Sequence, residues 1–411
     1  VSGGTSVPGA PAGLDLGGAA PTALPVAARA ARVVVALAFG AQGLAYGALI
    51  TSLPGFKDRF GIGDDVVTLV VLGVCLMAAV GTVVSERQAR GPGSRAVLVS
   101  GLAGIALAIL VVALAPSLPV FLVGFALYGF GLGQVDAGTN MQAVALQRAY
   151  GRSILTGFYA AWSIAGILAT VYVGQYVSRD VPQQVALPVV AVLVAVIGFL
   201  VLRRGWRAHD APLDAPAESG DGRRSPLPWG AITVLGVAVA AYFVVDSAAA
   251  TWSTIYLGDV LAAADDVAPL GYGAYLATTL VSRLAGDLAV RRWGRVAVVR
   301  TAGLVGALGL LAVALAPNAA VAIGGLALTG LGLGVVVPLC FAAAGSLAPE
   351  HADAVVARLN GFNYLGAVLG GVFVGAIGVG STLRIGYAVP LVLAVVVVLL
   401  APRFANRRTA A

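Results

Sequence analysis

Lysine is almost missing from this chain: Lys57 is the single one among 411 residues. A phosphate-cradling Gly-Lys-Ser/Thr loop is therefore impossible, because Lys57 stands in no such setting. ATP-driven pumping is excluded for this chain acting alone. Histidine is as scarce. His209 and His351 both fall in polar connecting segments, away from any apolar run. Cysteine stops at Cys75 and Cys340, far apart and inside apolar runs. They have neither metal-site spacing nor enough partners for a disulfide framework, and both read as packing residues. Charge is low as well: Asp, Glu, Lys and Arg make up 10% of the chain, against roughly 25% in soluble domains. No nucleophile–base pair or metal cluster stands out, so neither an enzyme nor a cofactor or metal site is expected.

What fills the chain instead is apolar. Hydrophobic residues make up 59% and the mean hydropathy is +0.96. A water-soluble globule of this length could not hide that much apolar surface, so lipid is the solvent for most of it. Glycine is abundant, at 55 residues, as expected where helices pack backbone to backbone in a bilayer. The formal charge of +7 is scattered between apolar segments rather than clustered, which excludes a nucleic-acid partner.

A membrane helix needs about 20 apolar residues. Runs of that kind occupy 33–54, 66–86, 96–115, 119–145, 154–177 and 184–202, then 229–257, 267–289, 297–316, 319–346, 357–379 and 383–402. The expected class is an all-α membrane protein of twelve transmembrane helices in two pseudo-symmetric six-helix bundles. Its parts are a disordered tail (1–28, without the order of a cleavable signal), a first bundle (29–202), a polar linker (203–228), a second bundle (229–403) and a short tail (404–411).

Basic residues orient it. With the first residue inside, the cytoplasmic segments collect Arg29, Arg32, Arg87, Arg90, Arg95, Arg148, Arg152 and the linker arginines. They also collect Arg291, Arg292, Arg295, Arg300, Arg358, Arg403, Arg407 and Arg408, whereas the outer loops hold only Lys57, Arg59, Arg179 and Arg384. The positive-inside rule then places both termini and the linker in the cytoplasm of a cell whose inner membrane holds the protein.

The halves repeat at an offset of 201 residues. VVALAP at 111–116 falls on AVALAP at 312–317, and GFGLG at 129–133 on GLGLG at 330–334. In the same register Asp287 falls on Glu86, Arg291 on Arg90 and Gly294 on Gly93. Each second helix thus ends in an acid, a base four residues on and a glycine turn. Such an acid can pair with its base or face the N-terminal dipole of a neighbouring helix. This makes Glu86, Arg90, Arg283, Asp287 and Arg291 candidates for a cytoplasmic gate. Arg283, spaced i,i+4 from Asp287, is expected to pair with it on one helix face.

The acid-to-glycine loop resembles the signature loop of the major facilitator superfamily. GLGQVDAGTNMQAVALQRAYGRSILTGFYAAWSIAG (131–166), the segment 246–287 and NYLG (363–366) resemble the bacterial YbjJ-type branch. The resemblance runs from residue 33 to 402 and implies the major facilitator fold and a transport function. That branch tends to carry His at the place of Tyr159, Glu at Asp246, Asp at Thr251 and Arg at Ser52, so no role is inherited there. The Gly-Pro motif usual in span 5 of drug antiporters is absent.

Ionisable groups inside a membrane default to function. Asp246, with no partner within four residues on its own helix, is the first candidate for carrying a coupling proton. Asp136, about 25 Å along its span from Pro119 at ~1.5 Å per residue and so toward the cytoplasm, is the second. Gln42, Tyr46, Tyr159, Trp162, Tyr275, Thr278, Asn363 and Tyr364 lie nearer the midplane and suit a mostly apolar cavity for a small organic solute. No unpaired basic residue is expected at that depth, which disfavours a strongly anionic substrate. The resulting expectation is a monomeric, proton-coupled secondary transporter, a metabolite or drug exporter among its forms. Proton-symport uptake of a neutral solute such as a sugar, and a solute sensor that moves nothing, stay open.

Overall fold

The computed structural model describes residues 26–207, 227–264, 267–347, 351–380 and 383–405. The expected linker, both expected tails and His209 fall largely or wholly outside these. The first helix begins at Val26, inside the segment expected to be tail.

The first half comprises α1 (Val26–Thr51), the short α2 (Leu53–Phe60), α3 (Asp64–Ala89), α4 (Ser94–Leu114), α5 (Leu118–Tyr150), α6 (Leu155–Val177) and α7 (Gln183–Arg204). The second comprises α8 (Trp229–Ile255), extended by a π turn over Tyr256–Val260, then α9 (Leu270–Trp293) and α10 (Arg295–Ala314). It continues with α11 (Ala319–Leu333), α12 (Val336–Leu347), α13 (Ala352–Gly380), α14 (Leu383–Gly386) and α15 (Ala388–Leu400). Among the described residues, ten helical stretches are long and apolar enough to cross a membrane. Two more complete the twelve: α9, which carries Arg283, Asp287, Arg291 and Arg292, and the 29-residue α13. Large apolar side chains such as Leu69, Leu76, Leu168, Leu288, Leu308 and Leu399 stand exposed, as a lipid-facing surface requires.

Two expected single spans are broken, and proline is the reason in both. Span 10 divides into α11 and α12 because Pro338 has no N–H to offer the Gly334 carbonyl four residues back. Pro390 stands in the same relation to Gly386, where α14 gives way to α15.

The 201-residue repeat is realised atom by atom. Gly93 and Gly294 precede α4 and α10 with φ of 84° and 79°, a left-handed backbone that glycine alone takes without strain. Where α5 crosses α3, a Cβ on Gly129 would fall 2.6 Å from the Val74 carbonyl oxygen. Its counterpart on Gly330 of α11 would fall 2.2 Å from the Tyr275 carbonyl of α9. Such crossings let backbones touch, which is how helices gain contact area where lipid supplies no hydrophobic drive.

Candidate solute site and closed end

The carbonyl left free by Pro338 finds its donor in Arg283: Nε reaches Gly334 O at 3.3 Å. The same guanidinium donates through Nη1 to Ser163 Oγ of α6 at 2.6 Å and through Nη2 to Tyr242 OH of α8 at 2.9 Å. It lies 5.7 Å from the ring centre of Tyr159 and 5.9 Å from that of Trp162. Arg283 is 7% exposed and every one of these acceptors is neutral. The expected pair with Asp287 does not form. Arg283 points into the interface between the halves, while Asp287, one turn along α9, is engaged elsewhere. Arg283 is thus a basic residue at this depth without its expected acidic partner, contrary to the expectation that none there is unpaired.

Asp246 on α8 accepts from Tyr275 OH at 2.8 Å and from Tyr242 OH at 3.4 Å. Tyr242 is four residues back on the same helix, so the carboxylate does have a partner there. One phenol, Tyr242, thus stands between the charge of Arg283 and that of Asp246. Tyr46 on α1 and Tyr272 on α9 lie within electrostatic reach of the same carboxylate.

Asp136 sits near the middle of the 33-residue α5, which runs on to Tyr150 past its expected end. Its carboxylate accepts from Gln42 Nε2 of α1 and from Tyr364 OH of α13, one donor from each half. Asn140, one turn on, donates to the Asp136 carbonyl at 2.9 Å and accepts from Tyr159 OH at 2.8 Å. A polar path therefore runs from the Asp246 carboxylate through Tyr242, Arg283, the Tyr159 ring and Asn140 to the main-chain carbonyl of Asp136.

Most of the residues expected to line a cavity meet here. Tyr46 packs on Trp162 with ring centres 5.8 Å apart and is 40% exposed. Asn363 donates to Asn360 Oδ1 at 3.0 Å beside Asn140. Thr278 is the exception. Its hydroxyl donates back to the carbonyls of Ala274 and Tyr275 on its own helix. It faces the crossing with Gly330 of α11, within 2.6 Å of where a Cβ there would stand. Tyr242, Ser163 and Asn360 join the site without having been singled out, since only the packing of separate helices brings them together. Of the positions where the sequence departs from the branch it resembles, Ser52 is buried and bonded to Tyr176 OH at 2.7 Å, away from this cluster.

The arginine-rich end of the molecule is shut. Asp287 accepts from Ser153 Oγ at 2.7 Å and from the backbone amides of Thr156 and Gly157 at the start of α6, at 3.3 and 3.0 Å. Arg291 donates to the Ser153 carbonyl at 3.4 Å. Glu86, the counterpart of Asp287, accepts from Arg358 on α13 at 3.1 Å (Nε) and 2.9 Å (Nη2), as well as from Arg90. Both acids thus face the fifth spanning helix of the opposite half. The donors differ because α13 begins at Ala352, well before Arg358, so its amides there are already bonded within the helix. Between these latches Gly345 lies so near Val144 that a Cβ would stand 2.1 Å from its Cγ1.

Residues 35–371 match the family described as Major Facilitator Superfamily. An uncharacterised transporter, y4wD, of Sinorhizobium fredii is 26% identical over 372 residues, covering 90% of this chain and 96% of that one. Membrane protein MosC of Rhizobium meliloti is 26% identical over 372 residues, covering 88% of each. The chain's fold superposes on the transporter FucP, solved in the outward conformation, with a TM-score of 0.77 at 14% identity over 91% of this chain and 98% of that one. By sequence match over most of its length, and by a fold of twelve helices in two related halves, this membrane transporter belongs to the Major Facilitator Superfamily.

Proposed function

We propose that the protein is a proton-coupled secondary transporter of the cytoplasmic membrane that carries a small organic solute by alternating access. The arginine-rich end and both termini face the cytoplasm, so the arrangement described is outward-facing. Gln42, Tyr46, Tyr159, Trp162, Tyr275, Asn363 and Tyr364 contribute to the solute site. Glu86 and Asp287, with Arg90, Arg291 and Arg358, close the cytoplasmic mouth. The protein works as a monomer, and segments 131–166 and 246–287 support kinship with the YbjJ-type branch.

The observation that carries the coupling is the position of Asp136. Its carboxylate is held by neutral donors alone, one from each half. A proton can discharge it without leaving a buried cation unbalanced, and doing so weakens a contact between the halves. Asp246 is the second coupling group, tied through Tyr242 to Arg283. Protonating Asp246 would strand that arginine's charge in a buried site, which is expensive in a membrane interior.

The test is solute accumulation in proteoliposomes screened against a metabolite panel, with and without an imposed pH gradient. Accumulation that follows the gradient supports the reading. Flux that ignores the gradient removes the coupling, and binding without flux turns the reading to a sensor.

A further inference from the structure

Arg283 is a buried cation with no counter-ion in contact among the described residues. Buried charges are ordinarily paired. Here Asp246, which shares Tyr242 with Arg283, gives its contacts to Tyr275 and Tyr242 instead. A guanidinium carries five N–H donors in a planar fork. Three are assigned, to Gly334 O, Ser163 Oγ and Tyr242 OH. Two remain, one on each terminal nitrogen, without an acceptor among the described residues.

The surroundings say what could use them. Trp162 and Tyr159 present their rings to the guanidinium, and Trp162 stacks against the part-exposed Tyr46. The wall beside the cation is thus aromatic, and its outermost ring, Tyr46, is part-exposed. The partners of Arg283 also come from both halves: Ser163 from the first, Tyr242 and Gly334 from the second. A ligand seated on it therefore touches the interface that must rearrange during transport.

Resting on the transporter reading, we infer that the solute is an organic monoanion: a carboxylate docking on the free edge of Arg283, with an apolar or aromatic body against Trp162, Tyr159 and Tyr46. Arginine is the side chain whose fork matches a carboxylate two bonds at a time. A single negative charge fits because Asp246 and Asp136 line the same site, and a dianion would meet both of them against one cation.

The test uses the full chain in lipid nanodiscs with radiolabelled benzoate, phenylacetate and pyruvate as probes, each set against its uncharged amide, and with glucose as a neutral control. At least one carboxylate should bind where its amide does not. Arg283→Gln should lower that affinity on the order of a hundredfold, the loss expected when one partner of a desolvated charge pair is removed. Arg283→Lys, which keeps the charge but not the fork, should fall between. If Arg283→Gln does not fold, Arg283→Lys and Ser163→Ala carry the comparison, each weakening the carboxylate selectively. Amides binding as well as acids, variants indistinguishable from the parent, or no carboxylate binding at all overturn the inference. Counterflow into liposomes separates it from the transporter reading. A carboxylate that binds but does not exchange sinks transport and leaves the anion site standing, whereas exchange of glucose or an amide without any acid does the reverse.

Discussion

Asp287 caps a helix that belongs to the other half of the molecule. Its oxygens take the amides of Thr156 and Gly157 at the start of α6, donors that have no partner inside that helix. The positive end of the α6 dipole adds to the attraction. Asp287→Asn keeps one acceptor and loses the charge, so the closed arrangement should weaken by about 1–2 kcal/mol. A cysteine at Val144, in a background without Cys75 and Cys340, reports this by alkylation. Its labelling should speed by on the order of tenfold, the population shift that such an energy produces. Unchanged labelling together with a lower melting temperature would reduce Asp287 to a structural brace.

Glu86 divides its carboxylate between two arginines of unequal standing. Arg358 is 22% exposed and belongs to the opposite half, whereas Arg90 is 58% exposed and lies on the turn that follows α3. The wet pair is worth little and the cross-half pair more. In a double-mutant cycle, Glu86→Gln and Arg358→Gln should show a coupling of about 1 kcal/mol in the opening equilibrium. Glu86→Gln with Arg90→Gln should add within error. Equal coupling in both cycles would mean that Glu86 only fixes the loop.

Much of this architecture is legible in the chain. Apolar runs of membrane length, arginines gathered at one end and glycines repeating at 201 residues require only neighbouring sequence to see. The acid–base–glycine motif at Glu86 and Asp287 is visible for the same reason, although its partners are not. Helical spacing directs attention to Arg90 and Arg291 on the acids' own helices, while the packing supplies Arg358 and the amides of α6. Arg283 shows the limit most clearly. The i,i+4 rule offers it Asp287, but its hydroxyl partners lie 41 and 120 residues away. Its backbone partner is a carbonyl that becomes available only because of Pro338. Thr278 fails in the opposite sense: a polar residue at the right depth spends its hydroxyl on its own helix turn.

The glycine turns give a test of the repeat that is independent of function. Gly93 and Gly294 have open space around a would-be Cβ, so alanine there meets only backbone strain. Gly93→Ala and Gly294→Ala should each destabilise by about 1–2 kcal/mol, the penalty of a left-handed residue with a Cβ. Gly73, inside α3 and equally open, is the control. Alanine there should be neutral or stabilising by about 0.5–1 kcal/mol, because helix interiors prefer it. Thermal unfolding in one detergent compares the three, and equal effects at all of them would show that the turn conformation is not what the glycines serve.

The two carboxylates should separate in transport. Asp136→Asn keeps an acceptor for Gln42 or Tyr364 but can no longer gain or lose charge. It should abolish accumulation driven by a pH gradient and preserve exchange at equal concentrations, since exchange needs no net proton movement. Asp246→Asn removes the negative charge linked to Arg283 through Tyr242 and leaves a buried cation without compensation. Solute recognition should then change along with coupling: the affinity for a carboxylate should rise, because the solute no longer competes with a resident anion, and release should slow. The measurement is paired, with gradient-driven accumulation and counterflow run on both variants alongside the parent. If Asp246→Asn loses accumulation while keeping exchange, and Asp136→Asn behaves as the parent does, the proton travels on Asp246. The contact of Asp136 with Tyr364 would then be a fixed brace between α5 and α13.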